Sequence, residues 1–115
     1  MKGLILLPFW VDMILNHNKT WEIRSTKTSK RETIGLIASG TKQVFCEATI
    51  VDCFPLTKEL FEENFEKHRI NCRFEELPVN YRYVWVLDNV KKYDIPKNYT
   101  HPRGAQIWVN LEMED

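Results

Sequence analysis

The stretch His17-Asn18-Lys19-Thr20-Trp21-Glu22-Ile23-Arg24 concentrates three kinds of chemistry in a few residues. Lysine supplies a cation whose amine becomes a base once neutral. Glutamate accepts hydrogen bonds and can carry a proton. Arginine offers a planar fork that matches phosphate or carboxylate. In an extended strand, side chains two apart share a face, so Thr20, Glu22 and Arg24 project together while Trp21 and Ile23 turn the other way. Such a set could hold an anionic ligand or perform general acid–base catalysis. It could equally be a Glu22–Arg24 or Lys19–Glu22 surface ion pair, which by itself carries little energy.

The elements that must position these residues follow from the pattern on either side. KGLILL (2–7) reads as a buried strand that runs directly into a helix, with Pro8 at the first helical position, where its missing N–H costs nothing. PFWVDMILNH is apolar nearly all round, which predicts a deeply packed helix. It should stop at Asn16-His17-Asn18, because Asn and His tolerate a left-handed cap. Lys19 then sits at a corner between helix and strand 20–25. TKTSKRE is a polar loop, TIGLIAS (33–39) a strand, and Gly40-Thr41-Lys42 a turn. QVFCEATIVDCF (43–54) is a long strand ended by Pro55. Thr57 is an N-cap for the helix KELFEENFEKH, whose acids lie early and bases late, as the helix dipole prefers. Residues 70–82 read as irregular, 83–93 as a strand, 94–104 as a loop, and AQIWVNL (105–111) as the closing strand. The acidic end Met113-Glu114-Asp115 reads as frayed. Five or six strands and two main helices give an α+β fold around a small, mostly antiparallel barrel.

At 115 residues the chain forms a single domain, 1–115, large enough to bury a core without metal or disulfides. Sixteen Lys and Arg balance sixteen Asp and Glu, which excludes a uniformly basic polyanion binder. The balance is uneven along the chain. Residues 1–46 hold seven Lys/Arg against three acids, and residues 47–115 hold nine against thirteen. A local basic field is therefore available for an anion. Cys46, Cys53 and Cys72 form no C-x-x-C pair, and His17, His68 and His101 show no ligand spacing with them, so neither a disulfide framework nor a metal site is expected. No apolar run is long enough to span a bilayer, and the opening MKGLILLPFW lacks a cleavage site. The expected setting is cytoplasmic and reducing, with no membrane partner.

Residues 17–24 resemble the motif G-x-K-x-x-E-x-R of the ASCH domain, a branch of the PUA-like superfamily. Lys19, Glu22 and Arg24 occupy the Lys, Glu and Arg places, and His17 stands where the family has glycine. IGLIASG (34–40), CEATIVDCFPLT (46–57) and YTHPRGAQIWVNL (99–111) are similar as well, so the resemblance covers nearly the whole chain. It implies a PUA-like β-barrel of five to six strands with a cleft beside the first helix, lined by Lys19, Glu22 and Arg24. Related domains bind RNA, and ASCH domains are proposed to bind RNA or nucleotides. The implied partner is thus RNA, a nucleotide or a modified nucleoside, with no cofactor. Some small bacterial relatives are amidohydrolases on acetylated cytidine that use a Lys, a Thr and a Glu. Lys19 matches that lysine, but Glu22 stands in the place of the threonine. Other members are described as ribonucleases. The alternative to a binding domain is therefore a hydrolase with Lys19, Glu22 and Glu47 as its catalytic set.

Further residues extend the candidate site. Glu47, in an apolar strand, needs a partner if buried, and Arg24 or Lys19 is the expected one. Thr20 shares the face of Glu22. Ser39, beside a hairpin turn, has access to the cleft. Tyr99, His101 and Arg103 alternate before the last strand and could close the cleft over a base or phosphate, or simply form a rigid proline-bounded loop. Trp10, Trp85 and Trp108 are read as packing residues, and Trp21 as core if Glu22 faces the cleft.

Overall fold

The computed structural model describes residues 1–112. The acidic end 113–115, expected to be frayed, lies outside the described residues. The chain runs β1 (Lys2–Leu6), α1 (Pro8–Asn16), β2 (Trp21–Arg24), β3 (Thr33–Ala38), β4 (Gln43–Pro55), α2 (Lys58–Glu63), α3 (Phe65–His68), a 3-10 turn (Phe74–Glu76), β5 (Tyr83–Asn98) and β6 (Trp108–Asn110). The six strands form one sheet in the order β2-β5-β4-β3-β1-β6. Only β1 and β3 pair in parallel, and every other neighbour pair is antiparallel. The sheet is curled into a half-barrel. Trp85 on β5 and Trp108 on β6 are separated by three intervening strands, yet their rings stack at 5.9 Å.

The two faces of the sheet bury different clusters. Leu4, Leu36, Cys46, Ile50, Trp85 and Leu87 pack on one face with Val11 and Ile14 of α1. Trp21, Ile23 and Val84 pack on the other face against Leu56 and Phe61. Strand β2 thus separates its side chains as period-two alternation requires. Trp21 and Ile23 go to the second cluster, and Glu22 lies opposite Trp85 on the face of the first.

Several elements depart from the sequence reading. The α1 helix was expected to be deeply packed, but only Val11 and Ile14 are buried, and Phe9 is left 57% exposed. The helix after Thr57 breaks at Asn64, whose side chain donates to the Leu60 carbonyl at 2.8 Å and so ends α2. The fold therefore has three short helices rather than two. Strand β5 continues to Asn98, through a segment read as loop. Cys46 pairs with Lys92 and Val44 with Lys97, so Phe45 alone faces residues 93–96. Pro96 is accommodated in that bulge, where no ladder donor is needed. Strand β6 is shortened to three residues.

Helix α2 is anchored by Thr57, whose Oγ1 accepts the Leu60 amide at 3.1 Å. Thr57→Ala should lower stability by about 1 kcal/mol, as loss of an N-cap does. Urea denaturation at neutral pH measures it, and Thr57→Asp should restore most of the loss.

Candidate functional site

After α1 the chain turns through Asn18 at φ 57°, and the Lys19 amide returns to the Met13 carbonyl at 3.1 Å. The left-handed residue of the cap is Asn18, while His17 has φ −133°. The His17 position thus makes no demand for glycine here. This corner directs the Lys19 side chain inward, where it is 1% exposed. Its Nζ donates to the Trp21 carbonyl at 2.7 Å and to the His68 carbonyl at 2.6 Å. It also lies 3.8 Å from Glu22 Oε1 and 4.6 Å from the centre of the Trp10 ring. Burial lowers the Lys19 pKa to about 8, against the opposing pull of the Glu22 carboxylate.

Glu22 is buried and lies between two cations, because Arg24 Nη1 reaches its Oε2 at 3.3 Å. The Arg24 guanidinium sits 5.5 Å from the Trp85 ring centre. Its Nη2 and Nε make no hydrogen bond to protein among the described residues. His68, whose carbonyl accepts from Lys19, is itself held in place. Its Nε2–H donates to the Phe61 carbonyl at 2.7 Å and its Nδ1 accepts the Ile70 amide at 2.9 Å, which sets the neutral tautomer. Burial, with a contribution from the Lys19 charge, holds the His68 pKa below its ordinary value.

Lys19, Glu22 and Arg24 line a cleft of about 510 Å³ at the seam between β2 and the opposite edge formed by β1 and the segment before β6. Trp10 and Tyr81 bring aromatic rings to its walls, and Leu7, Ile107 and Pro78 add apolar surface. Ser39 lies on the wall as well. The volume falls within the range of roughly 300–1,000 Å³ typical of small-molecule sites.

The other candidates are distributed differently. Thr20 does not line the cleft, and its backbone joins the Lys67 carbonyl and the Leu87 amide. Glu47 is not on the cleft wall either. Its partner is Tyr93, not Lys19 or Arg24: the Tyr93 hydroxyl donates to Glu47 Oε2 at 2.6 Å. The register explains this, because Glu47 pairs with Gly35 and projects away from the face that holds Cys46 and Ala48. Burial first, and then the Glu47 carboxylate, push the Tyr93 hydroxyl pKa upward. Tyr99 and His101 line a neighbouring compartment, while Arg103 is exposed and lines neither. Trp10, read as a packing residue, is only partly buried and forms cleft wall. Tyr81, Gln106 and Ile107 were not anticipated. A tyrosine in the proline-bearing loop after the second helical region was the available signal, since loops carry function disproportionately. Among the described residues no group of three or more His, Cys, Asp or Glu is placed to hold a metal ion. Among the described residues no helix is long and apolar enough to cross a membrane.

Removing Lys19 should damage the fold more than removing Arg24. Lys19→Ala leaves two buried carbonyls and the Glu22 carboxylate without their ammonium, a loss of about 3–5 kcal/mol. Arg24→Ala should cost on the order of 1 kcal/mol, since its side chain is partly solvated. Urea denaturation of both variants checks the order. The depressed Lys19 pKa also has a sign. Between about pH 8 and the unfolded value of 10.5, the folded chain binds fewer protons at Lys19 than the unfolded chain. Stability of the parent relative to Lys19→Met should therefore rise across that window and stay flat below it. The comparison cancels Cys46 and Tyr93, whose raised pKa values act in the opposite direction in both proteins.

With the geometry in hand, the chain can be compared with known proteins. The family model for the ASCH domain matches residues 4–99. No curated protein matches the sequence. The structure is similar to the crystal structure of ASCH from Zymomonas mobilis, with a TM-score of 0.69 and 13% identity over 96% of this chain and 87% of that one. Two single-substitution variants of that protein give TM-scores of 0.72 and 0.67, at 16% and 14% identity. Each comparison covers 96% of this chain, and 87% and 89% of the respective variant. At these identities the likeness establishes the fold, a PUA-like α+β half-barrel. The family-model match over most of the chain, on the same fold, places this protein in the ASCH domain family.

Proposed function

We propose that this domain binds RNA or a nucleotide in the cleft of Lys19, Glu22 and Arg24. The observation that carries the reading is the Arg24 guanidinium. One nitrogen is tied to a buried carboxylate and the rest of the fork has no hydrogen-bond partner in the protein among the described residues, at the wall of a cleft with aromatic sides. A pre-positioned fork of this kind suits a phosphate oxygen or a base carbonyl, and Trp10 and Tyr81 suit a base face. Two cations around one carboxylate leave the site net positive at neutral pH, which favours an anionic ligand. Zero net charge over the whole chain argues against tight non-specific RNA binding, which scales with the phosphates neutralised. A mononucleotide or a short single strand fits better.

One observation supports a hydrolase as the second reading. Two of the Lys19 N–H groups are taken by backbone carbonyls, so a neutral Lys19 keeps both of these bonds and retains a lone pair to act as a base. With a pKa of about 8, a usable fraction of neutral amine exists near neutral pH. Glu47, bonded to Tyr93 and away from the cleft wall, adds little to this set.

Arg24→Ala should weaken binding of nucleotides or short RNA about 10- to 100-fold, the equivalent of one charge-assisted hydrogen bond. Calorimetric titration against nucleosides, nucleotides and short single strands measures it. Mass spectrometry of the same samples separates the readings: unchanged ligand supports a binding domain, and converted ligand supports a hydrolase. Equal affinity for parent and variant would overturn the assignment of the cleft.

A further inference from the structure

A second compartment of about 320 Å³ adjoins the cleft and shares Ile5, Ser39 and Gln106 with it. Its remaining walls come from the turn at Gly40–Lys42 and from Tyr99, His101 and Ala105. These parts are fastened together. The Tyr99 amide donates to the Lys42 carbonyl at 3.2 Å, and Tyr99 packs on the cluster of Ile37, Val44 and Val109. Gly40 at φ 84° and Lys42 at φ 56° shape the turn that closes the compartment.

The polar atoms of the two rings are already used. The Tyr99 hydroxyl lies 2.8 Å from His101 Nδ1, and His101 Nε2 lies 3.0 Å from the Ala105 carbonyl. Nε2–H must donate to that carbonyl, so in the neutral imidazole Nδ1 accepts and the Tyr99 hydroxyl donates. The rings therefore have no N–H or O–H left to donate and offer a ligand mainly their surface. Lys42 is the cation of the compartment. The side chains of Ser39 and Gln106, on the shared wall, make no hydrogen bond to protein among the described residues. Aromatic surface beyond a polar wall, with a cation at the edge, is what an adjacent nucleotide needs.

We infer that the ligand is a strand of at least two nucleotides, one in the cleft and the next stacked at Tyr99, with the phosphodiester passing Ser39 and Gln106. The inference rests on the reading of the cleft as a nucleotide site. It adds that the preferred ligand is an oligonucleotide and not a free nucleoside or mononucleotide.

The test titrates the full chain with the four nucleoside 5′-monophosphates, the matching 3′,5′-bisphosphates and the sixteen RNA dinucleotides carrying a 5′-phosphate. The best dinucleotide should bind about tenfold or more tightly than the best bisphosphate, which carries comparable charge without the second base. Tyr99→Ala should remove most of that advantage and leave monophosphate affinity unchanged, while Tyr99→Phe should keep it. Should Tyr99→Ala also lose monophosphate binding through misfolding, Lys42→Glu on the surface turn serves in its place and should weaken the dinucleotides selectively. Dinucleotides no tighter than bisphosphates, or an advantage untouched by Tyr99→Ala and Lys42→Glu, would overturn the inference while leaving the cleft reading intact. Failure of every nucleotide to bind the parent would overturn both.

Discussion

The structure around the cleft depends on one buried ammonium. Lys19 has no solvent to satisfy its charge, so three groups must converge on it: the Trp21 carbonyl of β2, the His68 carbonyl at the end of α3, and the Glu22 carboxylate. Burying a charge is unfavourable unless every donor finds an acceptor. That requirement fixes the end of α3 against β2, and His68 can supply its carbonyl only because its ring is locked between Phe61 and Ile70. Arg69 then reverses the chain at φ 59° and starts the loop that brings Tyr81 to the cleft. Lys19 is first of all a structural cation.

Glu22 joins the structural half of the site to its open half. On one side it balances Lys19, and on the other it holds one nitrogen of Arg24. The carboxylate orients the fork, so less side-chain freedom remains to be lost when a ligand arrives. Curling of the sheet supplies the rest. It brings the edge strand β2 opposite β1 and the approach to β6, and the cleft is the gap that an incompletely closed barrel leaves between them. A fully closed barrel would have filled this gap with side chains.

Much of this was legible in the residues. The alternation of TWEIR assigns Trp21 and Ile23 to one face and Glu22 and Arg24 to the other, and the packing of β2 follows it. The handover from α1 to β2 was readable from Asn16-His17-Asn18, because few residue types accept a left-handed turn. The burial of Lys19 was not readable. It depends on a backbone carbonyl 49 residues away, an acceptor that leaves no trace in residue type. The partner of Glu47 was misjudged for a related reason. The choice between the two faces of β4 is fixed by cross-strand register, and three irregularities interrupt the pairing of β4 with β5. The bulge opposite Phe45 likewise hid the continuation of β5, since Pro96 reads locally as a strand terminator. Its place on an apolar helix pointed to a packed role for Trp10, but its ring lies against a charged group at the cleft wall.

The most direct measurement is a side-chain-resolved NMR titration of the ¹⁵N-labelled domain with a mixture of short single-stranded RNAs. A ligand seated in the cleft should shift the Trp10 indole N–H, the Arg24 guanidinium signals and the amides of Ser25 and Tyr81 together, with the acidic surface of α2 unchanged. Shifts confined to α2 or to the outer face around Tyr93, with Trp10 and Arg24 unmoved at saturating RNA, would contradict a ligand site built on Lys19, Glu22 and Arg24.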